Sequence, residues 1–118
     1  MEARLAEIDA FFAGKREAWM MFERLRERIS VRWPSVKLRV MKTCIAFDNL
    51  KPFVYVSFPP RKSMRGLFVT ISLRERMEHP RFFMVVPVSK TRITVHIHTE
   101  DDSAIDDELL DLIALSLR

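Results

Sequence analysis

The sequence predicts an α+β fold: an antiparallel meander sheet of five or six strands, covered on one face by N- and C-terminal helices in a two-layer sandwich. Apolar residues recur with helical spacing at both ends of the chain, whereas from Val36 to His98 they recur at every second position, as in strands. The connections between the predicted strands are short, which favours antiparallel neighbours because a parallel crossover needs about a dozen residues or more. Strands with one apolar face need a cover, and the helices can supply it.

The first predicted helix covers residues 2–13 and ends at Gly14. One apolar stripe runs along it, formed by Leu5, Ile8, Phe11 and Phe12. We divide the chain into this N-terminal helix, residues 1–14, and a single α+β domain, residues 15–118. Because an apolar stripe on a terminal helix needs a partner surface, a homodimer through its two adjacent phenylalanines is one hypothesis.

The second predicted helix, residues 15–30, has the clearest periodicity in the chain. Its apolar stripe consists of Ala18, Met21, Phe22, Leu25 and Ile29. The opposite face mixes acids and bases, as is typical of a solvated helix surface. The segment ends at Trp33-Pro34, because proline disfavours the helical conformation for the residue before it.

Six segments between the helices have the alternation of strands. They are residues 36–41, 43–47, 53–58, 67–74, 82–88 and 92–98. The last strand has an apolar face of Ile93, Val95 and Ile97, which we assign to the core. Its opposite face carries Arg92, Thr94, His96 and His98. Two prolines at positions 59 and 60 predict a loop, because neither can donate a hydrogen bond to a neighbouring strand.

The last predicted element is a helix at about residues 102–117, capped by Asp101, Asp102 or Ser103. Its apolar positions are Ile105, Leu109, Leu112, Ile113, Leu115 and Leu117. Acidic residues crowd its first turns, where the helix dipole stabilises negative charge.

In chain order these segments include WMMFERLRERI, VKLRVMKTCIAF, FVYVSF, LFVTISL, TVHIHTEDD and IDDELLDLIALSL. The pattern resembles a family of small bacterial domains classified as a domain of unknown function, number 5655, over about residues 15–118. Two segments carry the resemblance: Lys42 to Phe47, and the histidine-bearing strand that leads into the acidic helix, His96 to Asp107. The resemblance implies an α+β fold and no activity, so it assigns no functional residue.

Composition excludes several classes of function. With two glycines in the chain, a glycine-rich nucleotide loop is excluded. The single cysteine, Cys44, excludes an internal disulfide and a cysteine-rich zinc site, and it fits a reducing cytoplasm. The acidic N-terminal segment is neither a signal peptide nor an anchor, and no apolar run approaches the roughly 18 residues that span a bilayer. We therefore predict a cytoplasmic protein without a membrane partner.

Charge is distributed unevenly along the chain. Residues 100–111 contain seven acids and no base, whereas residues 1–99 contain 19 bases and 9 acids, a net charge of +10. Such asymmetry can mark an anion-binding body. It can equally mean that the acidic end folds back onto the basic body, and net charge alone does not separate these interpretations.

The pair His96 and His98 is a candidate metal or acid–base site, because histidine titrates near neutrality and ligates metals. Two residues apart on a strand, the rings share one face about 6.5–7 Å apart. A metal site needs a third ligand, for which Glu100, His79 and Cys44 are the candidates. Two hydrogen-bonded histidines on a wet sheet face are the more ordinary interpretation. Cys44 with a histidine base is a candidate nucleophile, although a lone cysteine in an apolar run is more often buried.

The basic residues predict a partner most directly. If the strand register is regular, one open sheet face carries Lys37, Arg39, Thr70, Ser72, Arg92, Thr94, His96 and His98, joined by Phe53 and Tyr55, or Phe68. A loop beside it carries Arg61, Lys62 and Arg65. Basic side chains beside aromatic rings suit phosphate contact and base stacking.

We therefore expect a non-catalytic binding or interaction domain without a cofactor, whose ligand is nucleic acid or another polyanion. The candidate ligand-binding residues are Lys37, Arg39, Arg61, Lys62, Arg65, His96 and His98. The alternatives are an enzyme or metal site at His96 and His98, and a structural homodimer through the N-terminal helix.

Overall fold

The computed structural model describes residues 5–117, within which one six-stranded sheet packs against helices. The elements are α1 (Leu5–Phe11), α2 (Arg16–Arg32), β1 (Lys37–Val40), β2 (Ile45–Asn49), β3 (Lys51–Ser57), β4 (Leu67–Leu73), β5 (Phe82–Ser89), β6 (Arg92–Thr99), a 3-10 turn (Asp102–Ala104) and α3 (Asp107–Leu115). The predicted α+β class, the antiparallel sheet and the helical cover on one face are confirmed. The predicted start of the first helix, residues 2–4, lies outside the described residues.

The apolar stripe of α1 packs on the rest of the same chain. Phe12 is buried, with its ring centroid 5.0 Å from that of Phe22 and 5.6 Å from that of Phe58. Phe11 stacks on Phe58 at 5.1 Å. The surface that motivated a homodimer through Phe11 and Phe12 is thus largely used within the chain, and that dimer stays a prediction. The boundary placed at residue 14 also stays a prediction, although Ile8 and Phe12 belong to the common core.

The C-terminal segment is not one continuous helix. A 3-10 turn comes first, with the carboxylate of Asp101 accepting a hydrogen bond from the backbone N–H of Ser103. The chain then becomes extended at Asp106, whose carboxylate accepts from the N–H of Leu109 and begins α3. The predicted cap Asp101 therefore begins only the 3-10 turn, and Asp106 is the cap of α3. An Asp side chain is short, so it satisfies the free N–H groups of the turn that follows it.

The strand order is β1-β2-β3-β4-β6-β5, with every neighbouring pair antiparallel. The first four strands follow the predicted meander, and the last two exchange places. β4 and β5 lie on either side of β6, and each is antiparallel to it. The two strands therefore run in the same direction. The connection at residues 74–81 must therefore return along the length of β6. Eight extended residues span about 26–29 Å, which exceeds the roughly 23 Å length of a seven-residue strand.

The core lies on one side of the sheet, between the strands and the helices. The alternate residues of β4 and β6 that face it are buried: Leu67, Val69, Ile71, Leu73, Ile93, Val95 and Ile97. Phe53 also faces this side, with its ring 5.4 Å from that of Trp33, so its predicted place on the open face is wrong. A register shift after Phe47 changes the alternation of β3 in front of Val54 and brings Phe53 to the core.

Candidate ligand-binding face

The side of the sheet opposite the core, here called the open face, carries a continuous row of side chains across all six strands. Strand register places in this row Arg39, Ala46, Tyr55, Thr70, His96 and Met84. A parallel row contains Ser57, Phe68 and His98. At about 4.8 Å between strands, a row of six positions spans roughly 24 Å. The predicted open-face positions of Lys37, Arg39, Thr70, Ser72, Thr94, His96 and His98 are confirmed by this register.

Four rings form a cluster where β4, β5 and β6 meet. The Phe68 ring lies 5.8 Å from His96 and 5.6 Å from His98, and Phe83 lies 5.2 Å from Phe68. Phe68 is only 6% exposed, whereas Phe83 is 51% exposed. Phe68 therefore supports the other three rings from below, and Phe83 presents an aromatic surface to solvent.

Each histidine of the cluster already has a protein partner. The Thr70 hydroxyl and His96 Nδ1 share a hydrogen bond of 2.8 Å, and burial lowers the pKa of His96. His98 Nε2 donates to the backbone carbonyl of Arg65 at 2.5 Å. The pair is thus oriented by β4 and by the loop before it. These two bonds leave fewer free ring nitrogens for a metal ion.

The proposed third ligands do not join the histidines. His79 lies on the covered side, with Nε2 3.8 Å from a carboxylate oxygen of Glu108. Cys44 precedes β2, three strands away from β6. Within residues 5–117 no group of three or more His, Cys, Asp or Glu side chains could hold a metal ion. The enzyme or metal site at His96 and His98 stays a prediction that no neighbouring group supports.

Cys44 is a half-buried thiol beside the β1 edge. Its Sγ lies 3.7 Å from Met41 Sδ. Burial raises the pKa of Cys44 more than the nearby Arg39 guanidinium lowers it. A raised pKa disfavours the thiolate, which is the nucleophilic form, so this environment does not activate Cys44.

Two of the predicted phosphate-binding residues form ion pairs. Arg39 Nε lies 3.1 Å from a carboxylate oxygen of Asp48, and Arg65 lies 2.6 Å from Glu17. Both pairs are largely exposed, so each holds its partner weakly. A phosphate that contacts Arg39 or Arg65 has to compete with a carboxylate.

The other predicted basic residues lie at two ends of the sheet. Arg61 and Lys62 are exposed in the β3–β4 loop, which borders a groove of about 440 Å³ together with Lys15 and Arg16 at the start of α2. The same loop holds His98 through the Arg65 carbonyl. Lys37 and Arg39 lie on β1, four strands from β6, or roughly 19 Å. The structure thus joins the loop to the histidines and leaves the β1 pair at the far edge.

The C-terminal acids fold back onto basic residues on the covered side. Arg81 lies 2.7 Å from Asp106 and 3.3 Å from Glu108, and it donates to the backbone carbonyl of Ala104. Two bases of α2 pair with α3: Arg28 with Asp107, and Arg32 with Asp111 at 2.8 Å. Of the two interpretations of the charge asymmetry, the structure shows the second one. The acids of α3 therefore neutralise the helical layer rather than the open face.

Sequence reasoning missed the contribution of β5 to the open face. A register shift between Phe82 and Met84 lets Phe83 and Met84 both lie on that face, next to Phe68 and His96. Regular alternation would place them on opposite faces, so only the pairing with β6 could have revealed it. Arg92 was expected on this face, and it reaches the Ser72 hydroxyl at 3.1 Å.

Of the helices between residues 5 and 117, none has the length and apolar character that crossing a membrane requires.

Comparison with known proteins gives one match. A family model described as Domain of unknown function (DUF5655) matches residues 8–116. The match begins inside α1 and not at residue 15, where the resemblance was expected to start. No curated protein and no solved structure matches the chain significantly.

Proposed function

We propose that this chain, which belongs to the DUF5655 family, is a non-catalytic binding domain that takes single-stranded nucleic acid on its open face. One observation carries the proposal: aromatic and basic side chains share the sheet face that lies opposite the helices, while Asp106 and the acids of α3 are paired on the other side. An aromatic sheet face bordered by cations can stack bases and hold phosphates at the same time.

The aromatic cluster would hold the bases. Phe83 is the most exposed ring, and Phe68, His96 and His98 support it. Stacking tolerates every base because each has a π-face, so we expect little sequence preference.

The cations beside the cluster would hold the phosphates. Among the described residues, Lys37, Arg61 and Lys62 have no carboxylate partner within ion-pair distance, which makes them the more available contacts. Arg61 and Lys62 lie in the loop that orients His98, so a nucleic-acid strand that stacks on Phe83 can place a phosphate there. Arg39, Arg65 and Lys37 would extend the path, with Arg39 and Arg65 exchanging Asp48 and Glu17 for phosphate.

Salt dependence of binding to a fluorescent single-stranded oligonucleotide tests the proposal. Affinity should fall linearly on a log–log plot, with a slope of about −0.7 per phosphate contact. The double variant Arg61→Ala, Lys62→Ala should bind more weakly and reduce the slope by about 1.4. The matched control, Arg24→Ala with Arg26→Ala, removes the same charge from α2. It should change the affinity and the salt slope much less. Absent binding, or equal effects of the two double variants, would contradict the proposal.

A second experiment separates stacking from charge. Phe83→Leu keeps an apolar side chain but removes the ring, and should cost about 1–3 kcal/mol of binding without changing the salt slope. Met20→Leu, at a side chain of similar exposure on α2, should leave affinity unchanged.

We also propose that the protein is located in the cytoplasm. The single cysteine and its unactivated thiol fit the reducing cytoplasm, where a nucleic-acid ligand is present.

A further inference from the structure

The strand β5 is exposed on both of its faces. Its exposed large apolar side chains are Phe83 (51%), Met84 (46%), Val85 (43%), Val86 (39%) and Val88 (64%). Val85 is paired with Val95 of β6 and points to the helical side, where Val95 itself is fully buried. The helical layer thus covers β6 but leaves β5 beyond its reach.

The two edges of the sheet differ in how they are protected. The edge strand β1 has four residues, two of them the cations Lys37 and Arg39. The edge strand β5 has eight residues and no charged side chain. Short length and charge are two of the devices that prevent a free edge from pairing with another chain, and β5 has neither, although it carries Pro87 and a register shift near each end.

One proline interrupts the donors of β5. A proline inside a strand fits where its nitrogen faces away from the sheet, so Pro87 belongs to the positions whose backbone groups point to the free edge. Backbone groups alternate between the two edges of a strand, which places the N–H and C=O of Val85 at the free edge as well. The free edge of β5 therefore offers the backbone N–H and C=O of Val85. Two residues further on, Pro87 offers only its C=O, because proline has no N–H.

We propose that two copies of the chain pair through β5 in antiparallel fashion, near Val85, and that the two sheets become one continuous sheet. A second copy is the occupant we assign, because it offers the same free backbone groups near Val85 in the antiparallel direction, and because an uncharged strand meets its own copy without any like-charge contact. Two-fold symmetry makes the contact closed, since the same surface is used by both copies. The pairing satisfies the backbone groups of the edge and brings the apolar side chains of the two copies side by side.

The pairing has a geometric consequence for the open face. The two-fold axis of an antiparallel edge contact is perpendicular to the sheet, so both open faces lie on the same side of the dimer. Phe83 and Met84 of each copy then border the axis, and the two aromatic clusters flank one uninterrupted surface. The pairing itself does not depend on the proposed ligand and is measured without it.

Sedimentation equilibrium of the full chain over a wide concentration range tests the dimer. The wild type should move from the monomer mass to twice that mass as concentration rises. Val85→Lys places two like charges beside the axis and should raise the dissociation constant by roughly tenfold or more. The control Val31→Lys makes the same change at a valine that is 77% exposed on α2, and should leave the constant unchanged. Circular dichroism establishes that both variants fold.

Amide hydrogen exchange of the wild type gives a test without substitution. The Val85 amide should exchange slowly in concentrated protein and quickly in dilute protein, because it is bonded only in the dimer. A monomer at every concentration overturns the proposal, and so does open-ended association. A dimer that Phe11→Lys dissociates and Val85→Lys leaves intact assigns the interface to α1 and overturns it too.

Discussion

The two sides of the sheet differ in what determines the burial of their side chains. On the covered side, Val95 and Ile97 are buried among helix residues such as Leu109, and hydrophobic packing fixes their positions. On the open side, the neighbours across the strands decide what each residue does: Phe68 is buried under three rings, while Phe83 on the next strand but one is half exposed. Stability should therefore reside mainly on the covered side and ligand recognition on the open side, and substitutions can test this division.

The largest difference is expected between a core ring and an open-face side chain. Phe22 is fully buried, with its ring 5.8 Å from that of Phe47. Phe22→Ala should lower the free energy of unfolding by about 3–5 kcal/mol, because it leaves a cavity among helices and strands. Thr94→Ala on the open face should change it by about 0.5 kcal/mol or less. Urea denaturation measures both, and similar costs would contradict the division.

A second comparison concerns two glycines with similar backbone conformation. Gly66 has φ +82°, and a Cβ there would lie 1.9 Å from the backbone oxygen of Thr99. Gly66→Ala should therefore cost about 3 kcal/mol, from the unfavourable φ and the forced displacement of β6 together. Gly14 has φ +77° with nothing within 4 Å, so Gly14→Ala should cost about 1 kcal/mol, the conformational part alone. Thermal and urea denaturation measure both costs. Equal losses of stability in the two variants would mean that the loop before β4 moves away from Thr99 at little cost.

Ion pairs on the two sides should also differ. Arg81, whose side chain is 19% exposed, contacts Asp106, Glu108 and the carbonyl of Ala104. Arg81→Met should cost about 1–3 kcal/mol, because the part-buried hydrogen bonds to Asp106 and to the Ala104 carbonyl are lost. Arg39→Met breaks an exposed pair with Asp48 and should destabilise the protein much less, because solvent screens that pair. Chemical denaturation that ranks Arg39 above Arg81 would contradict the division.

The smallest effect is the pH dependence that His96 contributes. Burial lowers the pKa of His96, so the unfolded chain takes up a proton at a higher pH than the native chain does. Stability should decline as pH falls through the ordinary histidine value of about 6.5, and the decline should end below the lowered native pKa. His96→Gln should remove this part of the pH dependence. An NMR titration of the imidazole measures the native pKa directly, and a raised value would contradict the expectation.

Local patterns in the sequence predicted correctly which residues face the core wherever the alternation within a single strand is regular. The alternation of Ile93, Val95 and Ile97 identified core residues of β6 correctly. The same rule failed at Phe53 and Phe83, because register shifts in β3 and β5 change which face a residue occupies. Such shifts arise from pairing with another strand, and the pairing partner is not visible in a single segment.

The acidic C-terminus shows a second limit. Its seven acids were visible in the sequence, but the pairing of four of them with Arg28, Arg32 and Arg81 depends on how α3 lies against α2 and the β4–β5 connection. The order of β5 and β6 was hidden for the same reason, since both orders satisfy the alternation. The functional assignment of the basic open-face residues remains a prediction until binding is measured.

The connection that returns along β6 bears on how the chain folds. β5 and β6 are joined by a two-residue turn at residues 90–91 and can form a hairpin by local contacts alone. β6 reaches β4 only after the whole hairpin docks, since Leu73 pairs with Ile93 across the intervening segment. Contacts between distant residues form slowly because a long loop must close first. Docking of the β5–β6 hairpin should therefore be a late step, and during it both edges of the hairpin are open to other chains.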